Sequence, residues 1–219
     1  MGVREGYDQE LLEVQTDIVL MGETAVLALE KSIQALVDLD LRTADQIMAA
    51  DDVIDQMEID IENKCVTMIA RQQPLARDLR VITTGLKITT DLERIGDYAF
   101  DISRIVSRMD HEKGHIKPLV DIPRMSAMAC KMVRDALLAY KNGDLMLAQE
   151  VCQADDEVDS LYSQIFRELL TYMIEKPALI SDATQLIFVA RFLERAADHA
   201  TNIAEWVVYL QTGQRIRAI

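Results

Sequence analysis

Four pairs of acidic residues are the part of this sequence that could do chemistry. Within each pair the two carboxylates stand four residues apart, which places them one turn apart on the same helix face. The pairs are Asp51 with Asp55, Glu93 with Asp97, Asp155 with Asp159, and Glu194 with Asp198. Asp101 and Asn202 extend the second and fourth pairs by one further turn. Carboxylates grouped in this way can bind a cation.

The four pairs belong to two halves that nearly repeat each other. The segment 91–97 returns at 192–198 with Leu, Glu, Arg and Asp in the same places, an offset of 101 residues. The segment 50–55 returns at 154–159 with Ala-Asp-Asp at its start and Asp at its end, an offset of 104 residues. Each half therefore carries two acidic pairs on consecutive predicted helices, and antiparallel packing of those helices brings the two pairs together.

Two interpretations of these acids follow from the residues alone. Four carboxylates within roughly 6–8 Å repel one another by about 2 kcal/mol per pair at an effective dielectric of about 20, and a cation would remove that cost. Oxygen-only ligand sets suit hard ions such as Mg²⁺, Mn²⁺, Ca²⁺ or iron. The alternative is a solvated helix face in which each acid pairs with a neighbour such as Arg94 or Arg195. His199 points about 100° away from Asp198 on the helix, which argues against a ligand role.

The sequence favours a protein that is not an enzyme. It has no nucleophile elbow, no P-loop and no dinucleotide-binding glycine pattern, and no His lies near a Ser or Cys in a triad-like setting. Metal-dependent hydrolysis by the carboxylates stays open as the alternative, together with metal storage, but no segment indicates a substrate pocket.

Hydrophobic periodicity and stop signals predict six helices that position the acids. They cover about 10–37, 41–71, 76–109, 123–142, 144–172 and 181–212, with Ser181 as the cap of the last one. The repeat pairs the first three with the last three. The sequence therefore predicts an all-α fold of two tandem antiparallel three-helix bundles related by internal duplication, at 1–115 and 116–219.

Composition narrows the class of partner. The net charge of −14 over 219 residues disfavours nucleic acid and anionic lipid, and favours cations or basic protein surfaces. No apolar run approaches the ~20 residues that a membrane span needs. Three scattered cysteines, Cys65, Cys130 and Cys152, are typical of reduced thiols in the cytoplasm. We therefore expect a cytoplasmic protein that reaches the membrane only through partners.

The repeated acidic motif resembles that of the PhoU family of bacterial phosphate-signalling regulators. The resemblance rests on 92–97 and its copy at 193–198, on the preceding segment 71–80, and on the duplication, and it covers about 10–212. It implies two tandem three-helix bundles with multinuclear metal sites, iron in known cases, with Mn, Mg and Zn as alternatives. The implied ligands are the eight paired acids, with Asp101 and Asn202 beside them.

The resemblance also implies a function. Family members act in the cytoplasm, often as homodimers, between the ATPase subunit of a phosphate ABC transporter and a phosphate-sensor histidine kinase. They keep phosphate-starvation genes off when phosphate is ample. In this sequence Ala197 replaces the motif Gly, and Asn202 stands where the first half has Asp101. Both departures predict a weaker or smaller second metal site.

Overall fold

The computed structural model describes residues 3–110 and 112–215, and within them it is helical with no strand. The α-helices are α1 (Val3–Asp38), α2 (Leu41–Ala49), α3 (Asp51–Gln72), α4 (Arg77–Val106), α5 (Asp121–Asn142), α6 (Leu145–Glu175) and α7 (Ile180–Thr212), with a 3-10 turn at Pro177–Leu179. The first repeat consists of α1 to α4 and the second of α5 to α7. The predicted all-α duplicated bundle is confirmed.

Local signals account for several helix ends. Asp40 and Asp144, which are equivalent in the two repeats, cap α2 and α6 by accepting backbone N–H groups one turn ahead. Gly143 and Gly213 end α5 and α7 with positive φ angles of 66° and 75°, as the sequence predicts. The last helix differs from expectation: Ser181 is not its cap, because the chain enters α7 through the 3-10 turn and no side chain caps it.

The second predicted helix is interrupted at Ala50, whereas its counterpart α6 is continuous. Ala50 has φ −100° and ψ 2°, and its N–H donates to the carbonyl of Ile47, which tightens the end of α2. The bend lets α2 pack against both α1 and α4, with Ala44 fully buried. Tertiary packing thus overrides helix continuity, and α3 begins at the acidic residue Asp51.

The two repeats meet where α4 crosses α7. The rings of Tyr98 and Phe192 stack with centroids 5.7 Å apart, and Asp91 lies 2.8 Å from the imidazole of His199. A third contact places the Arg80 guanidinium over the Tyr209 ring. Along these three contacts the residue numbers rise on α4 as they fall on α7. Because Asp91 is equivalent to Phe192 and Tyr98 to His199, the helices are antiparallel about a pseudo-two-fold axis.

A second contact between the repeats joins α1 to α5. Arg134 on α5 donates two hydrogen bonds to the carboxylate of Glu30 on α1, at 2.6 and 2.9 Å. Apolar side chains from both repeats form one cluster of buried residues, with Ile18, Leu29 and Tyr140 among its largest fully buried members. The acidic pairs are therefore carried on helices whose relative positions are fixed by packing.

Candidate metal centre

The first acidic group lies where the start of α3 packs against the middle of α4. Burial first, and then the neighbouring carboxylates of Asp55, Asp97 and Asp101, raise the pKa of Asp51 to about 6. Because such effects require proximity, they show that the pairs on the two helices are neighbours, as antiparallel packing predicts.

Glu93 completes this first group. Its pKa is raised to about 7, chiefly by burial and then by Asp97, with a smaller contribution from Asp55, while Arg94 acts in the opposite direction. A carboxyl group with such a pKa is only partly ionised near neutral pH. A bound cation would favour its charged form.

The second acidic group has the same arrangement between α6 and α7. Burial is the first cause of the raised pKa values of Asp155, to about 6, and of Glu194, to about 7. Asp159 and Asp198 add to the shifts of both residues, and the pKa of Asp198 is itself raised by burial and by Asp159. The four acids predicted for the second repeat are thus neighbours as well.

Two oxygen atoms in the second group have no hydrogen-bond partner. Oδ1 of Asp155 and Oε2 of Glu194 are buried and unpaired among the residues that the structure describes. Leaving a buried acceptor unsatisfied costs about 1–3 kcal/mol. Carboxylate oxygens are the ligands that hard metal ions prefer, so the chemistry of these unpaired acceptors fits such an ion.

Arginines neutralise part of each group. In the first repeat Arg94 lies 2.8 Å from Oδ2 of Asp97 and 3.4 Å from Oε2 of Glu93. In the second repeat it is Arg191, not the equivalent Arg195, that donates to Glu194. Arg195, proposed from the sequence as a partner, makes no ion pair within the described residues. The two repeats therefore use arginines from different helical positions.

The carboxylates are neighbours without forming a closed ligand sphere. In the described part of the chain, no three His, Cys, Asp or Glu side chains converge as one metal ion would require. The arginine contacts hold some of the acids in other directions, and side-chain rotations would be needed to gather them. The metal assignment of the ten residues predicted above stays a prediction.

The two residues that extend the acidic lines have other contacts. Asp101 pairs with Arg104 at 2.6 Å, although it is near enough to Asp51 to raise that residue's pKa. Asn202 is exposed, and its side-chain nitrogen lies 3.4 Å from Oδ1 of Asp91 in the other repeat. Asn202 thus belongs to the contact between the repeats.

Packing explains why Gly96 is replaced by Ala197 in the second repeat. A Cβ atom on Gly96 would lie 2.8 Å from Cδ1 and 3.2 Å from Cγ2 of Ile54. The residue equivalent to Ile54 is Val158, which lacks that terminal methyl group. The pair Ile and Gly in one repeat is thus exchanged for Val and Ala in the other, with side-chain volume conserved. The expectation that Ala197 weakens the second site has no support from this packing.

The network around His199 was missed by sequence reasoning. Its Nδ1 lies 2.8 Å from Oδ1 of Asp91, and its Nε2 lies 3.1 Å from the hydroxyl of Tyr98. Both ring nitrogens are therefore engaged between the repeats. The equivalence of positions 98 and 199 in the two repeats could have predicted this contact, because equivalent residues can meet at a pseudo-two-fold axis.

Comparison with known proteins gives one consistent result. The family model described as "PhoU domain" matches residues 18–106 and 122–207. A Clostridium acetobutylicum protein named as a phosphate-specific transport system accessory protein PhoU homolog is 41% identical over 214 residues, covering 97% of this chain and 97% of the relative. A Pseudomonas aeruginosa protein of the same name is 39% identical over 217 residues, covering 99% and 90%.

Solved structures agree with the sequence comparisons. The crystal structure of PhoU from Pseudomonas aeruginosa matches with a TM-score of 0.90 at 40% identity, covering 95% of this chain and all of that one. The phosphate transport system regulatory protein PhoU from Streptococcus pneumoniae matches with a TM-score of 0.89 at 28% identity, covering 96% and 99%.

Proposed function

Because the chain belongs to the PhoU family, we propose that it regulates phosphate uptake and phosphate-starvation signalling as a non-enzymatic adaptor. The observation that carries this proposal is the full-length similarity to proteins named as accessory proteins of the phosphate-specific transport system. The similarity includes both repeats, so the proposal concerns the whole chain and not one borrowed domain.

The adaptor is proposed to act between two membrane-associated partners from the cytoplasm, as a homodimer. They are the ATPase subunit of a phosphate ABC transporter and a phosphate-sensor histidine kinase. No helix in the described part of the chain has the length and hydropathy of a membrane span. To keep the kinase in its inactive state the adaptor must bind that state more tightly than the active one, since equal affinity shifts no equilibrium.

We further propose that each repeat binds metal through its own acidic group. The ligands are Asp51, Asp55, Glu93, Asp97 and Asp101 in the first repeat, and Asp155, Asp159, Glu194, Asp198 and Asn202 in the second. The unpaired oxygens of Asp155 and Glu194 support the assignment in the second repeat. The raised pKa values of Asp51 and Glu93 support the assignment in the first.

A bound metal ion would offset the negative charge of the neighbouring carboxylates. Iron is proposed first, with Mn, Mg and Zn as alternatives. Because arginines already neutralise part of each group, we expect the metal-free protein to fold. Metal should therefore stabilise the bundle by mass action rather than be required to form it.

One purification tests both parts of the proposal. The tagged full chain is isolated from phosphate-replete cells, and metal per chain and co-purified proteins are measured in the same sample. We expect bound metal together with transporter and kinase components. The double variant Glu93→Ala/Asp97→Ala should lose the metal of the first repeat and keep that of the second, and Glu194→Ala/Asp198→Ala the reverse.

The matched control removes two exposed acids from α3. Asp60 and Glu62 are both exposed, and Asp60 contacts only Gln56 among the hydrogen-bond partners described for it. The variant Asp60→Ala/Glu62→Ala should keep the wild-type metal content. Unchanged metal in the Glu93→Ala/Asp97→Ala variant would contradict the first-repeat assignment, and absence of both membrane partners would contradict the adaptor role.

A further inference from the structure

The turn between α3 and α4 exposes the most accessible large apolar side chain that the structure describes. Leu75 is 80% exposed. It lies between two non-glycine residues with positive φ angles, Gln73 at 47° and Ala76 at 45°. Such conformations are uncommon for residues with a side chain and collect where surrounding structure or function requires them.

Three arginines lie within five residues of Leu75 in a chain whose net charge is −14. Arg71 lies in the last turn of α3 and makes a 4.0 Å contact with Glu10. Arg77 begins α4, is exposed, and makes no ion pair with any described residue. Arg80 follows one turn later and packs over Tyr209. This end of the molecule thus combines an exposed leucine with two exposed guanidinium groups, of which Arg77 makes no ion pair with a described residue and Arg71 makes one long contact.

The second repeat provides an internal comparison, because its equivalent turn lacks this chemistry. Arg71 corresponds to Glu175, Arg77 to Ala178 and Arg80 to Ser181. That turn instead exposes apolar side chains, with Ile174 at 75% and Ile180 at 49%. The duplication has therefore diverged into one basic turn and one apolar turn.

The two turns lie at opposite ends of the molecule. Because α4 and α7 are antiparallel, the start of α4 lies beside the end of α7, and each turn precedes one of these helices. The 30 residues of α4 separate the turns by about 45 Å. One end can contact a partner while the other end stays free.

Resting on the proposed function, we propose that the α3–α4 turn docks onto the ATPase subunit of the transporter, with Leu75 in an apolar pocket and Arg71 and Arg77 against acidic residues around it. The transporter is the partner chosen because the relatives are named as its accessory proteins. An apolar core surrounded by a polar rim is the usual organisation of a protein interface, and arginine is enriched among the residues that contribute most to binding.

A protein surface fits this turn better than an anionic membrane does. Electrostatic attachment to lipid uses clusters of about four to eight Lys or Arg. This turn offers two exposed arginines, Arg77 and Arg71 with its 4.0 Å contact to Glu10, beside the acidic residue Asp78. A single leucine is also a small apolar area to insert into a bilayer, whereas it can fill one pocket on a protein.

The test measures binding of the purified full chain to the detergent-solubilised transporter complex by biolayer interferometry. Leu75→Ser should weaken binding about tenfold or more, as loss of a central anchor does. Arg71→Glu/Arg77→Glu should lower the association rate and reduce its dependence on salt. Circular dichroism melting checks that the variants fold, since all three side chains are exposed.

Matched controls lie on the opposite turn. Ile174→Ser removes an apolar side chain of similar exposure, and Lys176→Glu reverses an exposed charge there. Both should bind the transporter within twofold of the wild type. Binding by the α3–α4 variants that equals the wild type would overturn the docking site while leaving the adaptor role standing.

Two other outcomes would overturn the docking site, one by showing no transporter binding at all and one by showing that the turn binds lipid. A wild-type chain that does not bind the transporter would overturn the proposed function and the docking site together. Vesicles of phosphatidylcholine and phosphatidylglycerol at 3:1 serve as the membrane probe. Vesicle binding that Leu75→Ser abolishes, with transporter binding unchanged, would assign the turn to lipid and overturn the protein interface.

Discussion

The exchange of Ile54 and Gly96 for Val158 and Ala197 predicts a specific energetic coupling. The substitution Gly96→Ala places a methyl group 2.8 Å from Cδ1 of Ile54, well inside the ~3.5–4.0 Å at which carbon atoms pack best. Overpacking of this kind costs about 1–3 kcal/mol. Replacing a mid-helix glycine by alanine returns roughly 0.5–1 kcal/mol. We expect Gly96→Ala to lower the free energy of unfolding by about 1 kcal/mol.

The second substitution should remove most of that cost. Ile54→Val deletes the methyl group that lies nearest and should on its own destabilise by about 1 kcal/mol. In the double variant the deleted methyl leaves room for the new one, so the protein should unfold within about 0.5 kcal/mol of the wild type. The coupling energy should therefore be about 1.5–2.5 kcal/mol, within the range seen for contacting residues.

Urea unfolding followed by circular dichroism measures all four proteins of this cycle. The matched cycle in the second repeat is Val158→Ile with Ala197→Gly, and its double variant should likewise approach wild-type stability. Additive effects of Gly96→Ala and Ile54→Val, or a Gly96→Ala variant more stable than the wild type, would refute this account of the repeat. Metal content should not change in either double variant, because no acidic residue is altered.

Two further predictions concern the acids and the contact between the repeats. Since the folded-state pKa values of Glu93 and Glu194 are raised to about 7, the folded protein binds protons that the unfolded chain releases between about pH 4.5 and 7, so stability falls as pH rises through this range. The metal-free protein should therefore melt at a higher temperature at pH 5.5 than at pH 7.5. The variant Glu93→Gln/Glu194→Gln should show a smaller dependence of the melting temperature on pH. A wild-type melting temperature that rises from pH 5.5 to pH 7.5 would contradict this prediction. His199→Ala should lower the free energy of unfolding by about 2 kcal/mol, because the Asp91 carboxylate, 13% exposed, loses its closest partner. Urea unfolding measures this loss, and one below about 0.5 kcal/mol would show that the pair does not hold the repeats together.

Much of the fold was predictable because duplication tests each inference twice. The acidic spacings recur in both repeats, and Gly143 and Gly213 are local stop signals in the second repeat; the structure agrees with both. The break at Ala50 was not predictable, since it depends on how α2 packs against two other helices.

The site was predictable as a set of neighbours and not as an arrangement of atoms. Helical periodicity predicted the helix face that each carboxylate occupies. It could not predict which arginine donates to Glu194, and in the structure this is Arg191 and not Arg195. That choice depends on side-chain rotamers and on the packing of α7. The unpaired oxygens of Asp155 and Glu194 likewise arise from burial between two helices, which no spacing within one helix reveals.

Deletion of the gene in the organism that carries it tests the regulatory role most directly. A phosphate-starvation reporter and the rate of phosphate uptake are followed in high phosphate, with and without the full chain supplied in trans. We expect the reporter to turn on and uptake to be no longer restrained in the deletion strain, and the wild-type chain to reverse both changes. A reporter that stays off together with unaltered uptake would contradict the account.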